Sequence, residues 1–93
     1  MNKKRSKLEI VYDILRVIRD RNGRIKPTHI LYKSNLSYQM MEEYLTELIG
    51  KGFIMEIVNK KDGKKTYAIT EKGLNYLNKY RVITDFVGSF GLE

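Results

Sequence analysis

Lys60, Lys61, Lys64 and Lys65 crowd around a single Asp62-Gly63 step. Asp-Gly between two β-prone runs is a strong hairpin signal, because the turn needs positive φ. Four ammonium groups on one protruding turn suit phosphate oxygens, which they meet as point charges. Upstream, Ser37, Tyr38, Gln39, Met40, Glu43 and Thr46 share one side of a periodic segment whose other side is Met41, Leu45 and Leu48. A glutamine amide can pair with adenine N6 and N7, while hydroxyls serve phosphates or base edges. Lys3, Lys4 and Arg5 form a third basic group, of the kind that enters a minor groove or lies along phosphates. All three groups point to the same chemistry, the binding of a polyanion, with Ser37 to Thr46 as the segment able to read bases.

Other chemistries lack their residues. The 93 residues include no cysteine and one histidine, His29, so disulfides, thiolate metal sites and Ser-His catalysis are not expected. There is no nucleophile–base pair or glycine-rich phosphate loop at usable spacing, and Gly50-Lys51-Gly52 reads as a helix terminus. The expectation is a non-enzyme with no cofactor and no metal, and a surface or capping role for His29. Eighteen Lys and Arg against eleven Asp and Glu give a net charge of +7. Such a balance attracts nucleic acid or an anionic surface. No apolar run is long enough to span a membrane, and the amino-terminal stretch has no signal-peptide core, so the expected location is the cytoplasm, in association with the nucleoid.

A chain of this length holds one core, with a folded surface of about 5,600 Å². Residues 1–6 read as a basic arm, 7–73 as the domain core and 74–91 as a carboxy-terminal helix. Ser6 and Glu9 make a capping box ahead of Leu8, Ile10, Val11, Ile14, Leu15 and Ile18, whose spacings of 3 and 4 predict one apolar helical stripe. Asn22-Gly23 should stop that helix, and Ile25 suits a very short strand. Pro27 and Thr28 open a second helix that breaks at Ser34-Asn35. Leu36 and Ser37 supply the staple and cap of a third helix, which carries Met41, Tyr44, Leu45, Leu48 and Ile49 and closes at Lys51-Gly52. Residues 53–58 are β-prone, with Phe53, Met55 and Ile57 on one side and Ile54 and Val58 on the other. Residues 59–65 form the turn, Thr66 to Ile69 the partner strand, and Thr70 the cap of a fourth helix with Glu71 in its first turn.

The order is helix, short strand, helix, helix, two-stranded hairpin, helix. That is the layout of an α+β winged helix-turn-helix, in which the third helix fits the DNA major groove and the hairpin, or wing, reaches the neighbouring backbone. Glu42, Glu43 and Glu47 lie on this same third helix and would repel phosphates. Glu47 with Lys51 forms an i,i+4 pair on a solvated face, while Glu43 stays open as a base contact. Arg16, Arg19, Arg21, Arg24 and Lys26 read mainly as a solvated helix end. In the last helix, Tyr76, Tyr80, Ile83, Val87 and Phe90 are spaced 4, 3, 4 and 3, a heptad-like seam. Leu74 and Leu77 would cover the hairpin. The seam suits a two-fold homodimer, the alternative being a tail folded onto the first helix of its own chain.

The stretch ILYKSNLSYQMMEEYLTELIGKGFI, followed by a hairpin and then YAITEKG, resembles archaeal winged-helix DNA-binding proteins, and Arg5 to Ile18 fits the same group. It is similar to the small basic Sulfolobus type with a carboxy-terminal dimerisation helix, and to related archaeal transcription regulators. The resemblance implies binding of double-stranded DNA through Ser37, Tyr38, Gln39 and the wing lysines, dimerisation by the last helix, and no catalysis. The leading expectation is a dimeric archaeal transcription regulator. The alternatives are a chromatin-type protein that binds DNA without sequence preference, and a protein-interaction winged helix without DNA binding.

Overall fold

The computed structural model describes residues 5–21 and 24–91. Helices α1 (Lys7–Arg21), α2 (Pro27–Ser34) and α3 (Tyr38–Gly50) precede strands β1 (Ile54–Val58) and β2 (Lys65–Ile69), and α4 (Glu71–Ser89) closes the chain. Each boundary has a local cause. Ser6 Oγ accepts from Glu9 N and Glu9 Oε1 accepts from Ser6 N, both at 3.2 Å, a reciprocal capping box. Pro27 sits in the first turn of α2, and Asn35 ends that helix in the left-handed region at φ 53°. Ser37 Oγ accepts from Met40 N at 3.2 Å and starts α3. Gly52, at φ +80°, turns the chain out of α3 into β1. Asn22 and Gly23 lie outside the described residues.

The core is one cluster. Ile10, Val11, Ile14, Leu15 and Ile18 from α1 meet Ile30 from α2, Met41, Leu45 and Leu48 from α3, and Leu77 from α4. The sheet adds Ile54 and Tyr67, and Ile25 joins through an isolated bridge in which Tyr67 N donates to Ile25 O at 3.1 Å. The two strands are antiparallel, with Ile54 opposite Ile69 and Val58 opposite Lys65.

Several expectations need correction. Leu8, one residue into α1, is exposed. Phe53 precedes the strand rather than belonging to it; its carbonyl accepts from Thr70 N at 3.1 Å and Thr70 Oγ1 at 2.9 Å. Met55, Ile57 and Val58 are all exposed, so the alternation expected along 53–58 buries Ile54 alone within β1. The wing projects past the domain body, and neither of its faces has a layer to pack on there. Leu77 is buried as expected, but Leu74 is exposed.

The last helix divides in two. Its first half packs on α1: the rings of Tyr12 and Tyr80 stack at 4.5 Å, and Tyr76 Oη donates to the Leu8 carbonyl at 2.8 Å. Beyond Tyr80, residues 81–86 are all exposed. The molecule is elongated, 52 × 31 × 21 Å, with a radius of gyration of 14.2 Å; a compact chain of this length gives about 12.3 Å. Its accessible surface is 7087 Å², well above the about 5,600 Å² that scaling gives.

Candidate nucleic-acid interface

The wing tip is a tightly bonded turn. Asn59 Oδ1 accepts from Lys61 N at 2.8 Å and Asp62 Oδ1 accepts from Lys64 N at 2.9 Å. Gly63, at φ +71°, completes the turn, with Asn59 N donating to Lys64 O and Gly63 N to Asn59 O, both at 2.8 Å. Asp62, the one carboxylate at the tip, is thereby engaged with the backbone, and the lysine side chains radiate from a fixed loop. Among the described residues no carboxylate lies within 4 Å of Lys60, Lys61 or Lys64. Lys65, at the foot of the strand, lies 3.9 Å from Glu56. Glu56 also accepts from Tyr67 Oη at 3.3 Å, and burial together with that carboxylate pushes the Tyr67 phenol up to about 12.

On α3 the structure brings the expected residues to one open face. Ser37, Tyr38, Gln39, Met40, Glu42, Glu43 and Thr46 are exposed, while Met41, Leu45 and Leu48 turn inward. Tyr38 is 67% exposed at the start of the helix, where its ring and hydroxyl are free to meet a ligand. Ser37 Oγ accepts one bond at the cap and keeps its hydroxyl proton to donate. Gln39 Nε2 donates to Glu43 Oε1 at 3.3 Å, so the two side chains best suited to base edges hold one another. Glu47 faces away from this set. It accepts from Lys7 Nζ at 2.9 Å and Lys51 Nζ at 2.8 Å, and these two ammonium groups hold its carboxyl down to about 2. The helical pair with Lys51 was legible in the sequence; the partner from α1 was not.

Of the arm's basic residues, Arg5 is described. Arg5 is committed within the protein: Nη1 donates to Asp13 Oδ2 at 2.7 Å and Nη2 to the Ser34 and Asn35 carbonyls at 2.8 and 3.1 Å. The guanidinium expected to contact DNA is thus occupied by protein acceptors. Lys3 and Lys4 lie outside the described residues.

The α4 seam is also redistributed. Tyr76 and Tyr80 are packed on α1 rather than presented to a partner. Ile83 and Phe90 are exposed as expected and Val87 is half-buried, but Val82 and Phe86, outside the expected seam, are exposed too. Phe86 and Phe90 stand 5.1 Å apart in a tilted pair.

One basic surface escaped the sequence. Arg16, Arg21 and Lys33 line a shallow depression of about 330 Å³ with Val17, Asp20 and His29. Arg21 Nη2 donates to His29 Nε2 at 3.0 Å, so the imidazole is neutral on that nitrogen. Partial desolvation, Arg21 and Lys33 all lower the His29 pKa. The pairing joins two helices through residues eight apart across a turn, and periodicity within one helix gives no sign of it. Among the described residues no group of three His, Cys, Asp or Glu side chains could hold a metal ion, and no helix is long and apolar enough to cross a membrane.

Residues 4–87 match a family described as winged helix-turn-helix. Two uncharacterized proteins of Methanocaldococcus jannaschii are each 34% identical to the chain, over 70 and 76 residues. The matches take in 75% and 82% of this chain but 64% and 32% of those relatives, so the chain spans less than two thirds of either. Among solved structures, Sso10a-2, a DNA-binding protein from Sulfolobus solfataricus, superposes with a TM-score of 0.78 at 24% identity, covering 92% of this chain and 85% of that one. MepR, a transcription regulator of the Staphylococcus aureus multidrug efflux pump MepA, gives 0.74 at 16% identity, covering 87% and 60%. ZitR of Lactococcus lactis gives 0.71 at 16% identity, covering 97% and 62%. At these identities the structural likeness speaks to the fold, which is the winged helix expected from the sequence.

Proposed function

The chain belongs to the winged helix-turn-helix family, and on that premise we propose that it binds double-stranded DNA as a cytoplasmic homodimer and regulates transcription. The observation that carries this reading is the wing tip, where Lys60, Lys61 and Lys64 are exposed, unpaired among the described residues and mounted on a bonded turn. Unpaired ammonium groups on a fixed loop exchange condensed counterions for phosphates at little conformational cost. Beside them α3 offers Ser37, Tyr38, Gln39, Met40, Glu43 and Thr46 to the major groove, with Glu43 suited to a cytosine amino group. Lys3 and Lys4 would extend the contact along the backbone.

Dimerisation rests on α4. Ile83, Phe86 and Phe90 are each more than 60% exposed on a helix that has left the domain body. A second copy of that helix, packed two-fold, would remove this apolar surface from water and set two α3 helices at a fixed spacing. Sso10a-2 and MepR, described as a DNA-binding protein and a transcription regulator, share the fold and support the reading.

A second reading, a chromatin-type DNA-binding protein, is favoured by the bond between Gln39 and Glu43, which occupies the groups that would discriminate bases. Fluorescence anisotropy across a salt series tests both, with one duplex from upstream of the protein's own gene and one of random sequence. About six phosphate contacts give a log–log salt slope near −5. A preference of roughly a thousandfold for the upstream duplex supports a regulator, and equal affinities support the chromatin-type protein. No binding to either at low salt removes both and favours the protein-interaction winged helix.

A further inference from the structure

We propose that a belt of cations running from the wing across α2 to α1 is a second phosphate-binding surface, which carries the duplex beyond the segment read by α3. The proposal rests on the DNA-binding reading above.

Three adjoining hollows define the belt. Lys64 and Lys26 line the first, of about 340 Å³, between the wing and the start of α2. Lys26 and Lys33 line the second, of about 210 Å³. Lys33, Arg21 and Arg16 line the third, of about 330 Å³. Each hollow shares a cation with the next, so positive charge is continuous over the surface. All five side chains are exposed. Among the described residues no carboxylate lies within 4 Å of Lys64, Lys26, Lys33 or Arg21. Arg16 lies 3.9 Å from Asp13, whose carboxylate already binds Arg5 at 2.7 Å. Two acids line the belt: Asp20 pairs with Arg19 at 3.2 Å, and Asp62 accepts from Lys64 N at 2.9 Å.

Two further features suit a polyanion. Arg21 is held in place by its bond to His29, which orders the guanidinium and uses one of its donors. Helix α2 begins inside the belt with no side-chain cap, so its positive end adds to the field. Helix α3, in contrast, exposes Glu42 and Glu43 and carries no basic residue. Phosphates are therefore repelled along α3 and drawn along the belt, and the charge that binds the backbone is spatially separate from the helix that meets bases.

The test uses the intact chain and a triple variant, Arg16→Gln with Arg21→Gln and Lys33→Gln, on two duplexes. One is about 12 bp, close to one helical turn, and the other about 30 bp. The variant should bind the short duplex as the wild type does, which also reports that it folds. On the long duplex its affinity should fall about tenfold, and its log–log salt slope should become shallower by about 2.7, or 0.9 for each lost phosphate contact. Wild-type behaviour of the variant on both duplexes overturns the belt and leaves the DNA reading standing. An equal loss on both overturns a path beyond the α3 segment. A wild-type protein that binds neither duplex at low salt overturns the DNA reading and the belt together.

Discussion

Arg5 and Asp13 form a 2.7 Å ion pair that fixes residue 5 against α1, and the same guanidinium reaches the last carbonyls of α2. One planar fork thus ties α1 to the turn between α2 and α3. Carbonyls at a helix end lack intrahelical donors, and a cation there also meets the negative end of the helix dipole. Arg5→Ala should therefore destabilise the fold by about 1–2 kcal/mol, and Arg5→Lys should restore only part of this because an ammonium cannot span the three acceptors. Chemical denaturation measures the loss. The salt slope of DNA binding should stay unchanged, since the Arg5 guanidinium is occupied by protein acceptors.

The wing lysines should behave oppositely. Lys60→Gln with Lys61→Gln and Lys64→Gln should leave the melting temperature within a degree or two, because these side chains make no ion pairs among the described residues. DNA affinity should weaken similarly for all sequences, with a slope shallower by about 0.9 per residue. A variant that loses stability but keeps the full slope would sink the assignment of the wing to phosphate contact.

Gly73 explains why glycine closes the Thr-Glu-Lys-Gly step after the wing. A Cβ there would stand 2.4 Å from the Phe53 carbonyl oxygen and 2.6 Å from Ile69 Cγ1. Thr70 locks this junction by accepting from Gly73 N at 3.2 Å and donating to Gly52 and Phe53 carbonyls at 2.6 and 2.9 Å. Gly73→Ala should cost about 2–4 kcal/mol through backbone displacement. Gly50→Ala has open space around its Cβ and lies in a helix, so it should stabilise by about 0.5–1 kcal/mol. Paired thermal melts of the two variants check both signs.

Stability should depend on acid through Glu47. Its carboxyl is held down to about 2 by Lys51 and Lys7, against an ordinary value of 4.5. A depressed folded-state pKa means the contribution is fully present above about 4.5, shrinks as pH falls, and is gone below about 2. Wild type should exceed Glu47→Gln in urea midpoint at pH 7 and converge with it near the acid end of that window. The gap should also narrow in high salt, because the pairs are exposed.

Phe86 tests the proposed dimer contact on α4. Phe86→Glu, alone or with Ile83→Glu, should leave the domain folded, as both side chains are exposed, and should convert a dimer to a monomer in light scattering. Tyr80→Ala should instead destabilise each domain, because its ring stacks on Tyr12. Unchanged mass for the Phe86 variant would place the dimer contact elsewhere.

By itself the sequence determined the elements and their caps. Spacings of 3 and 4 marked α1 and α3, and Ser6, Ser37 and Thr70 stand as N-terminal caps with the expected bonds. These features depend on neighbours within one turn, so a linear reading captures them. The wing turn and the open face of α3 were legible for the same reason. Only the tertiary structure decided which cations are free. Lys3, Lys4 and Arg5 looked alike in sequence, yet Arg5 found acceptors 29 and 30 residues away. It also decided that Tyr76 and Tyr80 belong to their own domain while Phe86 faces out, and that Lys64, Lys26, Lys33, Arg21 and Arg16 share one surface. Charge is long-ranged and an exposed side chain takes its neighbours from whichever element packs beside it, so no local pattern encodes the outcome.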